Sequence, residues 1–265
     1  MEVGNSDIEF SLPAPPLRRY ITHYWLSCNN QDPYCGILPD GTIDLVFNID
    51  EWGSICRVYG AVTQKIDYSL NLHSHYLGIN FKPGQSRHFL TAAANEFTNN
   101  YEAADKALAL SFDGIEDSLS RGNVFQSLDT VLMQYLRCRQ PMATSIDELL
   151  NALEASQGQL PLNDCAALYG KSTRQLQRDF ANAIGVSVKL YAQIIRFHFA
   201  SRAMFKGAQN LADLAASLGY SDQSHMNRDF RRFTELSPVA FSSSRAAFLQ
   251  DRYFHFLETI EQQKT

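Results

Sequence analysis

Leu162-Asn163-Asp164-Cys165-Ala166-Ala167-Leu168-Tyr169-Gly170-Lys171-Ser172 returns, with the same skeleton, as Leu211-Ala212-Asp213-Leu214-Ala215-Ala216-Ser217-Leu218-Gly219-Tyr220-Ser221. Leu, Asp, Ala-Ala, Gly and Ser recur at an offset of 49 residues. Arg178-Asp179-Phe180 then recurs as Arg228-Asp229-Phe230 at an offset of 50, so one residue is inserted between the matched blocks. Six positions in order followed by three more mark an internal repeat.

Each copy reads as a helix-turn-helix. In the first, residues 162–169 form a short Ala-rich helix suited to close packing on a neighbour. Gly170 supplies the permissive backbone of a tight turn, and Ser172 is a good N-cap for the helix that follows. Leu176, Phe180 and Ile184 lie at i, i+4 and i+8 and form a buried stripe. In the second copy Gly219 turns the chain, Ser221 caps, and Met226, Phe230 and Phe233 face the core.

The outer faces carry different chemistry. Arg174, Gln177 and Arg178 share one face of the first helix; Ser224, Asn227, Arg228 and Arg231 share one face of the second. A guanidinium offers a bidentate fork to guanine, and a carboxamide does the same for adenine. Hydroxyls and free amides at a helix start hold phosphate. One such face alone is equally a solvated helix surface. Two copies with the same turn logic favour DNA. Between them, Leu190, Ile194, Phe197, Ser201 and Met204 keep a helical period over residues 187–206, so one long helix joins the two units. Readers in successive major grooves must sit about 34 Å apart, or the DNA must bend.

Charge adds little. The 265 residues carry a net charge of −5, but residues 1–144 hold 10 Lys and Arg against 16 Asp and Glu, whereas 145–245 hold 11 against 9. The polar, acidic start lacks the features of a signal peptide, and no apolar run is long enough to span a membrane. Cys28, Cys35, Cys56, Cys138 and Cys165 are scattered without a CxxC pair. That usage suits a reducing cytoplasm, where the protein is expected to reside.

The first hundred residues read as strands. Ile43, Leu45, Phe47 and Ile49 alternate with Asp44, Val46, Asn48 and Asp50 after a Pro39-Asp40-Gly41 turn. Further strands are expected at 57–62 and 76–81, giving a β-rich barrel or sandwich of cupin-like kind with trailing helices. Val124, Leu128, Val131, Leu132, Tyr135 and Leu136 then form an amphipathic helix that ends before Pro141. Its apolar stripe is either a dimer seam or a surface packed on the strands. The domains expected are 1–139, β-rich, for sensing or dimerisation; 145–247, all helical; and a helical tail at 248–265, rich in apolar side chains.

The motifs Gly170-Lys171-Ser172-Thr173-Arg174-Gln175-Leu176-Gln177-Arg178 and Gly219-Tyr220-Ser221-Asp222-Gln223-Ser224-His225-Met226, with Ser237-Pro238 and Phe241 beyond, resemble the two readers of AraC/XylS-type transcription regulators. The resemblance covers about residues 145–245. It implies a helical domain with both recognition helices in major grooves of promoter DNA, and RNA polymerase as a partner. By position it assigns base contacts to Arg174, Gln177, Arg178, Gln223, Ser224, His225, Asn227 and Arg228. Lys171, Ser172, Ser221, Arg231 and Arg232 would hold phosphates. One departure is Thr234-Glu235-Leu236, where the family usually has a Gly. The segments Leu38–Phe47 and Gly78–Gly84 are similar to a β-rich sensor-like domain often joined to such readers; this resemblance gives an architecture but no ligand, and a small-molecule effector and a homodimer both stay open as partners. No cofactor and no enzyme activity are expected.

Other motifs are weaker. His73-Ser74-His75 could place two imidazoles on one strand face, as in cupin metal sites, but no Glu follows at the required distance. The alternative reading is therefore a metal-binding or catalytic β-barrel fused to a DNA-binding module. No GxSxG elbow occurs. Asp40 and Asp44 could meet a polar effector, although a turn hydrogen bond is the plainer use of Asp40. Tyr20, Tyr24, Trp25 and Tyr34 read as barrel core.

Overall fold

A computed structural model describes residues 8–139, 141–208 and 210–243. The expected tail helix at 248–265 lies outside them. The alternation at 43–50 produces strand β4 of an N-terminal sheet built from β1 (Ile8–Ser11), β2 (Ile21–Ser27), β3 (Tyr34–Ile37), β4 (Asp44–Asp50), β5 (Gly53–Tyr59), β6 (Ile66–Ser69), β7 (His75–Phe81) and β8 (Tyr101–Ala103). Six of these pair antiparallel in the order β1-β2-β7-β4-β5-β8, while β3 and β6 form a separate two-stranded sheet. The large sheet ends at β1 and β8 among the described residues, so the barrel-or-sandwich expectation resolves to an open sandwich. The strand expected at 57–62 begins earlier, at Gly53, because Gly53 opens the tight connection from β4.

The two faces of the large sheet have different fates. Leu45, Phe47, Ile49, Leu77, Ile79 and Phe81 point to one side and are buried. Short helices α1 (Ala104–Ala107) and α2 (Ile115–Ser120) lead to α3 (Val124–Arg139). α3 lays Val124, Leu128 and Leu132 on that side. The amphipathic stripe thus covers its own sheet. The opposite face carries Trp25, Asp44, Val46, Tyr59 and Asn80, which line a large cavity. Gly78 pairs with both Trp25 and Val46, and a Cβ there would collide with the Trp25 indole. The missing side chain lets the indole lie across the strand.

The C-terminal half comprises α4 (Ser145–Ala155), α5 (Leu162–Tyr169), α6 (Thr173–Ile184), α7 (Val188–Phe205), α8 (Leu211–Ser217), α9 (Gln223–Thr234) and α10 (Pro238–Ser243). Two apolar clusters organise it. Leu149, Leu153, Leu176, Phe180 and Tyr191 centre the first; Phe197, Met226, Phe230, Phe233 and Phe241 centre the second. α7 contributes to both. After α9 the chain turns at Glu235, whose φ of 65° is the left-handed conformation that glycine adopts most freely. This is the position where the resemblance leads one to expect Gly.

The halves share their cores. Leu38 belongs to the second helical cluster and Ala61 to the first. His198 Nε2–H donates to Pro39 O at 2.8 Å, and Thr98 Oγ1–H donates to Gly185 O. Asp147 ties the start of α4 to the sheet domain. It accepts from Thr144 N (2.7 Å), Gln85 Nε2 (2.6 Å) and Arg87 Nη2 (2.7 Å). Burial alone would raise the Asp147 carboxyl; these donors outweigh it and hold it below its ordinary value. Its folded pKa lies below the unfolded one, so its contribution is complete above the unfolded value and is lost as pH falls through the folded one. Asp147→Ala is expected to cost about 1–3 kcal/mol at neutral pH. In urea melts the deficit should shrink on acidification; a deficit that is constant down to strong acid would refute the ion-pair account.

Candidate nucleic-acid interface

The second helix of the first repeat is α6. Ser172 Oγ accepts from Gln175 N at 3.3 Å, so the expected cap is present. Gly170 closes α5 at φ 73°. Leu176, Phe180 and Ile184 are buried, which leaves Arg174, Gln177 and Arg178 exposed on the outer face. Asp179 organises the base of this helix. It accepts from Gln175 Nε2 (2.9 Å), Tyr169 Oη (2.9 Å) and Lys171 Nζ (3.2 Å). The Gln175 hydrogen bond, helped by Tyr169 and Lys171, pulls its carboxyl down to about 2. Lys171 is therefore engaged, although its side chain is half exposed.

The second helix of the second repeat is α9, and here the structure corrects the sequence reading of the cap. Its N-cap is Asp222, whose Oδ1 accepts from His225 N at 2.7 Å. Ser221 is not the cap; its hydroxyl lies 3.2 Å from His225 Nδ1. The inserted residue between the matched blocks moves the capping role one position along. Gln223, Ser224, Arg228, Arg231 and Arg232 are exposed, while His225 is half-buried against Tyr220. Asn227 departs from the expected outer face. Its Oδ1 is buried and has no hydrogen-bond partner among the described residues.

Asp229 also differs from its repeat mate Asp179. It is buried, and burial raises its carboxyl despite nearby His225, Arg196, Arg232 and Arg228. Arg196 comes from α7, stands over the Tyr220 ring at 5.2 Å and donates to Gly219 O. That contact fastens the second turn to the connector. α7 starts at a Ser187 cap and runs for 18 residues, about 27 Å at the usual helical rise. The two exposed faces are thus repeats of one design, mounted on a shared rod.

The sequence matches the helix-turn-helix domain family over residues 165–244. The chain carries a helix-turn-helix domain. Residues 9–103 match a domain of unknown function, DUF6597. No curated protein matches the sequence. Among solved structures, it is similar to an AraC-type DNA-binding regulator from Chromobacterium violaceum (23% identity, 38% of this chain and 92% of that one, TM-score 0.36). It is also similar to the C-terminal domain of AraT, a response regulator from Geobacillus stearothermophilus (20% identity, 39% and 87%, TM-score 0.36). A further similar structure is ToxT from Vibrio cholerae (10% identity, 83% and 96%, TM-score 0.44).

The remaining candidates are placed apart from this interface. His73 sits in a left-handed turn at φ 63° ahead of β7, not on the strand. Its Nδ1 lies 3.2 Å from Asn29 Oδ1, and His75 Nδ1 accepts from Asn29 N at 3.3 Å. Both rings brace the 29–31 loop. No group of three metal-ligating side chains comes together among the described residues. No described helix is long and apolar enough to cross a membrane. Cys28, Cys56, Cys138 and Cys165 carry free thiols. Tyr20 and Tyr24 are core, as expected, but Trp25 and Tyr34 line the cavity.

Proposed function

We propose that the protein reads a promoter through α6 and α9 placed in two successive major grooves, with its N-terminal domain setting when it does so. The observation that carries this reading is the pair of exposed, repeated helix faces mounted on α7. Arg174, Gln177 and Arg178 read bases from the first; Gln223, Ser224, His225 and Arg228 read them from the second. Lys171, Ser172, Ser221, Arg231 and Arg232 position the backbone. Asn227 would have to turn outward on binding to join them. Control by the N-terminal domain is supported by the shared cores, since Leu38 and Pro39 pack on the connector between the readers.

Hydroxyl-radical footprinting on a selected site tests the groove reading. Two protected patches one helical turn apart are expected; protection confined to one groove would sink it. Arg231→Ala should weaken binding evenly across sequences and reduce the salt slope by about 1. An unchanged slope would remove Arg231 from the phosphate contacts.

A further inference from the structure

A cavity of about 850 Å³ separates the outer face of the large sheet from β3, β6 and the helices α4 and α7. That size falls within the roughly 300–1,000 Å³ usual for small-molecule sites. Its floor is the Trp25 indole, seated over Gly78. Trp25 is only 8% exposed, and its Nε1–H has no acceptor among the described residues. The Tyr68 hydroxyl, also on the lining, is buried and equally unpartnered. A buried N–H and a buried hydroxyl left unsatisfied are costly, so both invite a guest. Beside them stands Asp44, which faces the cavity and accepts one hydrogen bond, from Asn80 Nδ2 at 3.0 Å. Asp40 follows the same bend, with Oδ1 taken by Thr42 N at 2.9 Å.

We propose that this cavity binds an organic amine that also carries a hydroxyl or carbonyl acceptor. The ammonium sits by Asp44 and Asp40 with the Tyr68 hydroxyl as acceptor, and the ligand oxygen takes the Trp25 N–H. Aromatic faces of Trp25 and Tyr68 favour a cation over a neutral group. Arg19, Lys82 and Arg202 are also on the lining; the Arg202 charge acts on Glu154 of α4. Burial first, and the Asp40 charge second, push the Asp44 carboxyl up to about 8. The empty site thus holds Asp44 largely protonated near neutral pH; an ammonium beside it and Asp40 favours the ionised form, whereas a carboxylate ligand would keep it neutral. The connection to the readers is short. Gly41 approaches the Tyr191 ring so closely that a Cβ would lie 2.6 Å from it, and Pro39 accepts from His198. Occupancy at Asp40 and Asp44 therefore bears on α7. That regulatory use rests on the DNA-binding reading; the site itself does not.

The chain has two tryptophans, and Trp52 is exposed, so Trp52→Phe leaves Trp25 as a reporter inside the cavity. The full chain is titrated with 2-amino-1-phenylethanol, with ethanolamine, with neutral 1-phenylethane-1,2-diol and with mandelate. Saturable quenching by an amine, at least about tenfold tighter than by the diol and weakened to a similar degree by Asp44→Asn, is expected. Asp40→Asn keeps an acceptor for Thr42 N and serves as the second variant if Asp44→Asn does not fold. Equal binding of amine and diol, tighter binding of mandelate, or no saturable quenching by either amine overturns the proposal. Mobility shifts with and without the amine separate the two readings. Quenching with unchanged DNA affinity upholds the site and counts only against control by the N-terminal domain.

Discussion

A chain with both Arg178→Ala and Arg228→Ala is expected to lose about 2–6 kcal/mol of affinity for its specific site, the sum of two base contacts of about 1–3 kcal/mol each. The two side chains are the repeat pair at an offset of 50 and sit exposed on separate helices. Distant contacts of this kind add with little coupling. Arg178 is restrained by Asp179 at 3.6 Å, a distance that leaves its guanidinium free to turn to a base. The prediction has a second part. Each single variant should relax sequence preference in its own half of the site and leave the other half as stringent as before. Mobility shifts against a set of single-base substitutions measure both. A double variant that keeps its full preference, or one whose two losses fall on the same base pairs, would dismantle the two-reader mechanism.

Phe197→Ala is expected to cost about 3–5 kcal/mol, enough to unfold the second reader in a domain of ordinary stability. Phe197 is 1% exposed and sits where three further rings converge. Phe230 stands 4.9 Å away, Phe233 5.4 Å and Phe241 5.8 Å, in tilted or edge-on geometries. Removing the hub leaves a cavity bounded by rings that cannot collapse into it without moving α9. Amide exchange should show lost protection across α8 to α10 while α5 and α6 hold. A global loss below about 1 kcal/mol would mean that the cluster tolerates the gap, against the packing argument.

The repeat was readable because it is local. Gly170, Ser172 and the 176/180/184 stripe fix a turn, a cap and a buried face within a few residues of one another. The same logic misplaced the second cap by one residue, since Ser221 matches Ser172 by sequence while the inserted residue gives the task to Asp222. The strands were unevenly legible. β4 alternates cleanly, but β2 is buried on both faces, one under α3 and one in the cavity wall, so its burial is nearly continuous and no period of two marks it. Trp25 looked like core for the same reason. The cavity had no local signature. It exists because Tyr68, Asp44 and Tyr191 come from distant segments, and only the tertiary arrangement brings them together. Asn227 misled in the opposite sense, since helical spacing puts it beside Arg228 yet its oxygen is buried.

Leu38 lodges among Ile194, Phe197 and Phe230, far along the chain from its own strands. The seam between the two halves is therefore not where the covalent linker runs. Recombination within residues 139–145 would strip the helical half of a side chain from its own interior. A grafted N-terminal half must bring an equivalent apolar plug on the loop before its β4, or the borrowed helical half starts with a hole. Compatibility between swapped halves thus depends on this loop residue, together with Ala61 and the Asp147 ties, as well as on the joint itself.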